Sequence, residues 1–556
     1  MAMTVPALRT AHARPAMYVE TLLLSVAFFL MLAGNGPFWR AALAQREAGE
    51  PATWMFAAAV FTAFTAFYFA AAGFVANRHT AKPVLTVLLM AAAAAGYYMD
   101  RYGVYFDRAM LRNVFATDFK EAGELLGWDL AWHLLAWGVA PSALVWWVQL
   151  KRRPLRRALL VRVGWVMAAV VTGALSLVLV FADFASLMRN HKEVRHLLTP
   201  GNLVAASIGN AWGQARRPNQ PRIAVGSDAR PGAAWQARKR PTLFVLVVGE
   251  TARARNFALN GYERPTTPRL SGLDVVNFPH AQACGTSTEV SLPCMFSPYG
   301  RRHYDEEQIL SHESLLHVVA RAGFKVLWRD NQSGCKGVCD GLPAEQLDHA
   351  QVDELCPEGQ CLDEVLMRGF DTLVHDNRGN LFLVLHQLGS HGPAYFKRYP
   401  AVFKRFTPAC ENEDLRRCTQ AEIVNAYDNS LLYTDFFLGK LIDFLDRAQA
   451  THDTAMLYVS DHGESLGESG LYLHGVPQSI APEVQRNVPF VMWLSAAFRR
   501  DFDISDKCLR EHAAQPVSHD NLFHSLLGVL DIETRDYDRG MDLFAPCRVP
   551  SGEKAL

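Results

Sequence analysis

Hydrophobic residues concentrate in five long stretches within the first third of the chain. They lie at about residues 18–36, 54–76, 83–99, 128–150 and 159–183. A helix of roughly 20 apolar residues crosses a bilayer core of about 30 Å. Because the stretches are this long and closely spaced, they predict five membrane-spanning helices. The four later spans also argue against a cleaved signal peptide at the first.

Basic residues are unevenly distributed over the segments that connect these stretches. They cluster before the first span, between the second and third, and between the fourth and fifth: Arg9, Arg14, Arg78, Lys82, Lys151, Arg152, Arg153, Arg156 and Arg157. Basic connections favour the cytoplasmic side of a membrane. With five spans these segments share one side, so we expect the N-terminus inside and everything after the fifth span outside.

Residues 184–240 are rich in Arg and Lys and are interrupted by Pro218, Pro221 and Pro231. We interpret this segment as a basic bridge that lies on the membrane near anionic head groups. A solvated linker is the alternative. The predicted organisation is therefore a transmembrane helical domain (1–183) with an outer loop at 99–127, the bridging linker (184–240) and a folded domain outside the membrane (241–556).

Short apolar runs alternate with amphipathic stretches from residue 241 onward. The apolar runs predict strands at 242–248, 325–328, 381–385, 455–459 and 490–494, and a long helical pattern covers 421–448. Continuous apolar strands with helices between them indicate an α/β domain whose mainly parallel sheet is covered on both faces. In such sheets, ligands bind beyond the carboxyl ends of the strands.

Polar residues stand at those strand ends. Glu250 follows the first strand, His386 and His391 follow the third, and Asp461 and His462 follow the fourth. Each signal alone is weak, because a Glu after a strand often caps a helix and a lone His is often a core residue. Carboxylates and imidazoles that converge on one sheet edge are typical zinc ligands, so together they predict a zinc site.

The loop CGTSTEVSLPC (284–294) contains the candidate nucleophile. Its hydroxyl residues are Thr286, Ser287, Thr288 and Ser291. A threonine hydroxyl is a poor nucleophile unless a metal or a base lowers its pKa, which a neighbouring zinc site would do. A structural turn rich in Ser and Thr is the alternative.

Composition adds a compartment to this picture. Among 556 residues, Lys+Arg 55 balances Asp+Glu 55, so the net charge identifies no partner. All ten cysteines lie between residues 284 and 547. Eight of them form four pairs that are close in sequence: Cys284/Cys294, Cys335/Cys339, Cys356/Cys361 and Cys410/Cys418. The remaining two, Cys508 and Cys547, could pair with each other. This pattern indicates disulfides and an oxidising compartment, in agreement with the orientation of the spans. Zinc binding by thiolates is disfavoured by the spacing.

Four motifs resemble one enzyme family. They are GETARARNFALNGYERPTTP (249–268), CGTSTEVSLPCMFSPY (284–299), HQLGSHGPAYFKRYP (386–400) and SDHGESLGESGLYLHG (460–475). In this order they resemble the lipid A phosphoethanolamine transferases, which include the mobile colistin-resistance enzymes and belong to the alkaline phosphatase superfamily. The resemblance covers the whole chain and implies a five-span anchor with an alkaline-phosphatase/sulfatase-like domain.

The resemblance also implies roles for individual residues. The family's zinc ligands match Glu250, Thr288, Asp461 and His462, with Thr288 also the nucleophile. His391 and His474 match histidines that bind a second metal or phosphoryl oxygens and handle protons. His386 and Lys336 match further catalytic and substrate-site positions. Residues 329–340, which contain Lys336, depart from some family members by carrying Cys335 and Cys339.

A membrane-side motif, MLRNVFATDFKEAGEL (110–125), resembles the family's loop for the lipid head group. It implies that Asn113, Thr117 and Glu121 line the substrate cavity, with Glu121 receiving the ethanolamine ammonium. Their spacing of four residues would place them on one helical face. An exposed helix with ordinary polar residues is the alternative. Glu289, directly after the nucleophile, stands where a small residue is commoner in the family.

The implied activity is transfer of phosphoethanolamine from phosphatidylethanolamine to a phosphate of lipid A through a phospho-threonine intermediate. The product would carry less negative charge and bind polymyxins less well. We expect a multi-pass inner-membrane protein with a periplasmic catalytic domain, monomeric and without a nucleic-acid partner. The alternatives are the same chemistry on a core sugar, a glycan or a protein, phosphoglycerol transfer, sulfatase activity, and a receptor that catalyses nothing.

Overall fold

The chain folds into two compact units. The computed structural model describes residues 14–116, 119–215, 221–238, 240–348, 350, 354–357 and 360–548. The first unit comprises Met1–Asp107 and Leu126–Ser207, and the second comprises Arg108–Leu125 and Ile208–Leu556. Most of the predicted outer loop thus belongs to the same unit as the α/β domain.

The first unit is helical. Its helices are Val19–Ala33, Gly36–Leu43, Pro51–Val75, Ala81–Tyr102, Trp128–Leu134, Ala140–Trp147, Leu155–Leu179, Phe181–Asn190 and the beginning of Gly201–Ala215. Within the described residues, Pro51–Val75, Ala81–Tyr102 and Leu155–Leu179 are long and apolar enough to cross a membrane. A further pair of helices, Val19–Ala33 and Gly36–Leu43, is bent by 56° at the break between them. If this pair is one broken span, it is the fourth span.

The fourth predicted span is a helical run whose winding changes. A π-helical segment, Leu135–Val139, lies between Trp128–Leu134 and Ala140–Trp147. Pro141 has no amide hydrogen to continue the α-helical ladder, and proline and π segments commonly interrupt helices together in this way. Because neither flanking helix is long enough alone, the count of five spans stays a prediction.

A seven-stranded sheet forms the centre of the second unit. In chain order its strands are β1 (Thr242–Gly249), β2 (Val276–Asn277), β3 (Lys325–Asp330), β4 (Ala344–Gln346), β5 (Leu381–His386), β6 (Asp453–Ser460) and β7 (Phe490–Leu494). Their order across the sheet is β2-β7-β6-β1-β5-β3-β4. Only β7 is antiparallel to its neighbours, β6 and β2, whereas the other paired strands are parallel. The sheet is therefore mainly parallel, as the apolar runs predict.

The central strand β1 is buried on both faces. Its alternate residues enter two different cores, Phe244, Leu246 and Val248 on one side and Leu243, Val245 and Val247 on the other. The helices that surround the sheet include Thr288–Met295, Glu306–Ser311, Leu315–Arg321, Phe370–Asp376, Gln420–Ala448, Ala496–Asp501, Asp506–Ala513 and Asp520–Val529. Thr419 and Glu422 form a capping box that begins the longest of them, Gln420–Ala448.

All five predicted cysteine pairs form disulfides. They are Cys284–Cys294, Cys335–Cys339, Cys356–Cys361, Cys410–Cys418 and Cys508–Cys547. No cysteine is left free, so the alternative of zinc binding by thiolates is wrong. The first of these bonds closes the loop that carries the candidate nucleophile.

Candidate metal centre and active site

The register of the central strands brings the first ligands together. Gly249 at the end of β1 pairs with Ser460 at the end of β6, and Val248 pairs with His386 at the end of β5. Glu250 and Asp461 therefore leave the sheet side by side at its carboxyl edge. This is the edge at which parallel sheets bind ligands.

The four predicted zinc ligands meet at this edge. Thr288 Oγ1 lies 3.0 Å from Glu250 Oε2 and 3.3 Å from His462 Nε2. His462 Nε2 is in turn 3.3 Å from Glu250 Oε1 and 3.3 Å from Asp461 Oδ2. One ligand atom each from Glu250, Asp461 and His462 fits within a 4.8 Å group.

Two glycines permit the tight backbone around the ligands. Gly389 has φ +55°, and a Cβ there would lie 2.6 Å from the carbonyl oxygen of Glu250. A Cβ at Gly463 would overlap the carbonyl oxygen of Val484. Only glycine fits these two close approaches, so the turns that follow β5 and β6 are fixed by sequence.

The electrostatics of the cluster fit a cation. Glu250, Asp461 and His462 are fully buried. Burial raises the pKa of the Asp461 carboxyl and lowers the pKa of His462 well below its usual value, so His462 is neutral. His462 Nδ1 lies 2.9 Å from the Gly463 carbonyl oxygen and must donate to it, which leaves a lone pair on Nε2.

The lone pair of His462 Nε2 and the oxygens of Glu250 and Asp461 therefore face one another. Asp461 Oδ2 receives no hydrogen bond from any described residue. Such an arrangement of buried acceptors is repulsive unless a positive ion lies between them. Carboxylate and imidazole donors suit a divalent transition metal, so the residues present fit a metal ion.

A second group of ligand atoms shares Glu250. Glu250, His391 and His474 also fit within 4.8 Å. His474 Nδ1 lies 2.8 Å from Glu464 Oε2, and the Tyr395 hydroxyl donates to Glu464 Oε1 at 2.8 Å. The structure thus places both predicted histidines at the candidate metal site, with Glu464 in contact with the ring of His474.

His386, the last residue of β5, is fully buried. Its Nδ1 lies 2.8 Å from Asp330 Oδ2, which also accepts from Trp328 Nε1 at 2.7 Å. Burial raises the pKa of Asp330, but the charge and hydrogen bond of His386 outweigh it and hold that pKa at about 2. His386 Nε2 has no hydrogen-bond partner within the described residues.

Lys336 lies in the loop that the Cys335–Cys339 disulfide closes. Its ammonium donates to Ser333 Oγ at 2.7 Å and to the Ser333 carbonyl oxygen at 3.1 Å. The residue has φ +47°, in the left-handed region of the backbone. The structure therefore places Lys336 within its own loop, and its proposed role toward a substrate stays a prediction.

The predicted head-group residues are described only in part. Asn113 lies on the helix Arg108–Ala116, which packs against the helix Thr288–Met295 in the second unit. Thr117 lies outside the described residues. Glu121 falls within the helix Phe119–Glu124, but its side chain is also outside the described part of the chain. Their shared helical face stays a prediction.

Three further residues support the candidate site in roles that the sequence did not predict, although Ser291 was among the hydroxyl residues named in the nucleophile loop. Gln332 Nε2 donates to Glu250 Oε2 at 3.1 Å, and Ser291 Oγ donates to the Asp461 carbonyl oxygen at 2.5 Å. Glu464, described above, is the third. The strand-end rule that selected Glu250 applies equally to Gln332, which follows β3. Glu464 stands two residues after His462 in the same motif.

Comparisons with known proteins agree with this architecture. Residues 64–214 match the family described as phosphoethanolamine transferase EptA/EptB, and residues 242–532 match the sulfatase family. Phosphoethanolamine transferase EptA of Escherichia coli strain K12 is 40% identical over 469 residues, covering 84% of this chain and 86% of the relative. Phosphatidylethanolamine transferase Mcr-1 of Escherichia coli is 40% identical over 427 residues, covering 75% and 79%.

A solved structure extends the likeness to the helical part. It is the integral membrane protein lipooligosaccharide phosphoethanolamine transferase A from Neisseria meningitidis, which matches with a TM-score of 0.92 and 35% identity. The match covers 96% of this chain and 100% of the other. The chain therefore belongs to the EptA family of phosphoethanolamine transferases, as a multi-pass inner-membrane enzyme with a sulfatase-like domain.

Proposed function

We propose that this protein transfers phosphoethanolamine from phosphatidylethanolamine to a phosphate of lipid A, through a covalent intermediate on Thr288. One observation carries the proposal: the Thr288 hydroxyl lies 3.0 Å from Glu250 and 3.3 Å from His462 at a buried cluster built for a metal. Membership of the EptA family supports phosphoethanolamine as the group that is transferred. The buried hydroxyl beside two carboxylates and a neutral imidazole supports covalent catalysis.

The metal in this proposal is zinc, held by Glu250, Asp461, His462 and Thr288. Its ligand set of carboxylate and imidazole is typical of catalytic zinc. When bound, zinc would lower the pKa of the threonine hydroxyl and withdraw charge from phosphoryl oxygens. Glu464 would orient His474 beside it through the 2.8 Å contact.

In the first half-reaction, Thr288 Oγ1 attacks the phosphorus of phosphatidylethanolamine. The Oγ1–phosphorus bond forms while the bond from phosphorus to the glyceryl oxygen breaks. The hydroxyl proton passes to Glu250 Oε2, which already accepts its hydrogen bond. His391 protonates the glyceryl oxygen so that diacylglycerol leaves. Because Thr288 begins the helix Thr288–Met295, the amides of the first turn favour the phosphoryl charge.

In the second half-reaction, an oxygen of a lipid A phosphate attacks the phosphorus on Thr288. The new phosphorus–oxygen bond replaces the bond to Oγ1, Oγ1 regains its proton from Glu250, and the proton of the attacking lipid A phosphate restores His391. The transferred group comes from an existing phosphodiester, so no nucleotide takes part. The product has gained an ammonium group, which weakens the electrostatic attraction of polymyxins and other cationic peptides.

The remaining residues hold the substrates in this scheme. Asn113, Thr117 and Glu121 contact the ethanolamine head group, and Lys336, His386 and His474 contact the phosphoryl oxygens. The catalytic domain lies in the periplasm. The five disulfides and the basic connections between the predicted spans support that side.

Replacement of the nucleophile tests the proposal. We expect Thr288→Ala to abolish addition of phosphoethanolamine, measured by mass spectrometry of lipid A from cells that express full-length protein. The matched control is Thr286→Val, because Thr286 Oγ1 donates to the Val476 carbonyl oxygen and not to the metal ligands. The control should retain transfer. Intact mass of the wild-type protein incubated with phosphatidylethanolamine should show one adduct, on Thr288; an adduct that persists in Thr288→Ala contradicts the mechanism.

The same chemistry on another acceptor is the second candidate. Kdo(2)-lipid A phosphoethanolamine 7''-transferase of Salmonella typhimurium is 27% identical over 438 residues, so related chains serve different positions. Fragmentation of the modified lipopolysaccharide decides between the two. Phosphoethanolamine on the lipid A fragment supports our proposal, whereas its presence only on core sugars favours the second candidate.

A further inference from the structure

A cavity of about 480 Å³ lies within the helical unit. Its walls come from the beginnings of the helices Val19–Ala33 and Leu155–Leu179 and from the turn after Pro51–Val75. The size suits a lipid head group or a comparable small ligand. All of its lining residues belong to the first unit, so the cavity is distinct from the metal centre.

Four cationic side chains line this cavity. They are Arg78, Lys151, Arg153 and Arg162. Arg153 Nη1 forms an ion pair with Glu20 Oε2 at 2.9 Å, and its guanidinium stacks 3.5 Å above the Tyr18 ring. Glu20 is the only acidic partner that these four cations have within the described residues. The cavity therefore carries three positive charges that no carboxylate neutralises.

Arg162 is held in place by one hydrogen bond and has a second donor group without an acceptor in the described part of the chain. Arg162 donates from Nη1 to the Ala76 carbonyl oxygen at the end of Pro51–Val75. Its Nε is buried and has no hydrogen-bond partner in the described part of the chain. A buried guanidinium donor without an acceptor is costly, so an incoming phosphate oxygen would satisfy it. Because the side chain is already fixed, little entropy is lost on binding.

The rim of the cavity continues onto an apolar surface. Leu155 and Leu159, both lining residues, are 85% and 62% exposed. They lie on the helix Leu155–Leu179, whose apolar window is only 11% buried within the protein. Such a surface is suited to hydrocarbon chains. The ligand that fits both parts has a phosphate at one end and acyl chains at the other.

We propose that this cavity binds the phosphate of an anionic phospholipid, such as phosphatidylglycerol, in the cytoplasmic leaflet. The basic connections that line it place this end of the helices on the cytoplasmic side. A zwitterionic lipid fits less well, because its ammonium would add positive charge beside three cations that have no carboxylate partner in the described residues. This site is independent of the proposed function, and it anchors the ends of three helices to the leaflet that faces the cytoplasm.

Lipid titration with matched charge variants tests this site. Phosphatidylglycerol is titrated into detergent-solubilised full-length protein, and bound lipid is counted by native mass spectrometry. The test variant is Arg78→Gln/Lys151→Gln, in which both residues line the cavity and are exposed. The control is Arg156→Gln/Arg157→Gln, which removes the same charge from neighbouring exposed residues outside the cavity. With each basic group contributing equally, we expect about 30-fold weaker binding in the test variant.

The control variant should bind phosphatidylglycerol as the wild-type protein does. Equal losses in both variants would show diffuse attraction and overturn the proposal. Equal retention of phosphatidylethanolamine and phosphatidylglycerol would overturn the preference for an anionic lipid. Displacement of the lipid by an equal concentration of soluble glycerol phosphate would identify a site for free anions instead. Resistance to that competitor supports the contribution of the acyl chains.

Discussion

Glu289, the residue directly after Thr288, lies 3.9 Å from Arg112 of the helix Arg108–Ala116. Arg112 Nη1 also lies 2.5 Å from Glu306 Oε1, so the same arginine contacts two carboxylates. Burial raises the pKa of Glu289, while the charges of Lys336 and Arg112 lower it. These contacts account for a glutamate directly after Thr288: it lies between the helix Arg108–Ala116 and the charge of Lys336.

Removal of Arg112 should destabilise the second unit. Arg112→Ala leaves Glu289 and Glu306 without their shared cation, and their side chains are 19% and 34% exposed. We expect a loss of about 1 kcal/mol in the free energy of unfolding, and a coupling of at least about 0.5 kcal/mol between Arg112→Ala and Glu289→Ala. Denaturant unfolding of the two single variants and the double variant measures both.

An exposed ion pair provides the control for this cycle. Arg302 and Asp538 lie 3.7 Å apart, with side chains 50% and 53% exposed. Their double-mutant cycle should give a coupling near zero because solvent screens the pair. Additive effects of Arg112→Ala and Glu289→Ala would show that the two residues do not interact.

Asp461→Asn should stabilise the metal-free protein while weakening metal binding. Glu250 and Asp461 are both fully buried and face each other's charge when no cation is bound. After chelation, we expect the variant to melt at a higher temperature than the wild type, because one buried charge is gone. Added zinc should raise the melting temperature of the wild type and leave that of the variant nearly unchanged. Equal responses to zinc would place the metal elsewhere.

Glu464→Gln should reduce metal affinity without unfolding the protein. Glu464 accepts from Tyr395 and holds His474 Nδ1 at 2.8 Å, so the amide would loosen the orientation of the imidazole. Loss of such an orienting carboxylate typically costs about 10- to 100-fold in metal affinity. Zinc titration with a competing chelator measures the change. Glu468→Gln is the control, because Glu468 pairs with Arg253 instead; an equal effect there would contradict the role of Glu464.

Acid should destabilise the protein through His519. Its Nδ1 accepts from the Cys284 amide at 3.1 Å and its Nε2 donates to the Ser460 carbonyl oxygen at 3.0 Å, so the ring is neutral. Burial lowers the pKa of His519 to about 4, against 6.5 in the unfolded chain. The contribution of neutral His519 to the free energy of unfolding is complete above pH 6.5. It is lost as the pH falls toward 4, a change of about 3 kcal/mol.

Denaturant unfolding of chelated protein between pH 7 and pH 4 measures this loss without a contribution from metal release. His519→Gln should flatten the pH dependence of the unfolding free energy over this range. The control is His375→Gln, because the side chain of His375 is 89% exposed. A curve for His519→Gln as steep as that of the wild type would rule out His519 as its source.

The convergence of Glu250, Asp461 and His462 was largely predictable because it follows from strand ends. The runs at 242–248 and 455–459 are apolar throughout, which predicts strands buried on both faces, and the polar residues that follow them must leave at one edge. Observed β1 and β6 extend slightly further, to Gly249 and Ser460. The longest helix was predicted to within one residue at its beginning, since Thr419 and Glu422 form a local cap.

Other features depend on tertiary contacts that no local pattern encodes. β2 and β4 contain two and three residues, too few for a periodicity to be recognised. The approach of Arg112 to Glu289 joins distant segments through the packing of two helices. The placement of Lys336 depends on a positive φ in a disulfide-closed loop, which residue type alone does not indicate.

In the proposed mechanism, the position of β6 determines when during synthesis Thr288 becomes reactive. β6 lies between β1 and β7, and it delivers Asp461 and His462 long after the ribosome has made Glu250 and Thr288. A nascent chain therefore exposes its threonine without the imidazole and carboxylate that activate it. In this proposal, Thr288 does not attack the phosphodiesters of the bilayer until about the last fifth of the polypeptide, which contains β6, has been made and has joined the sheet.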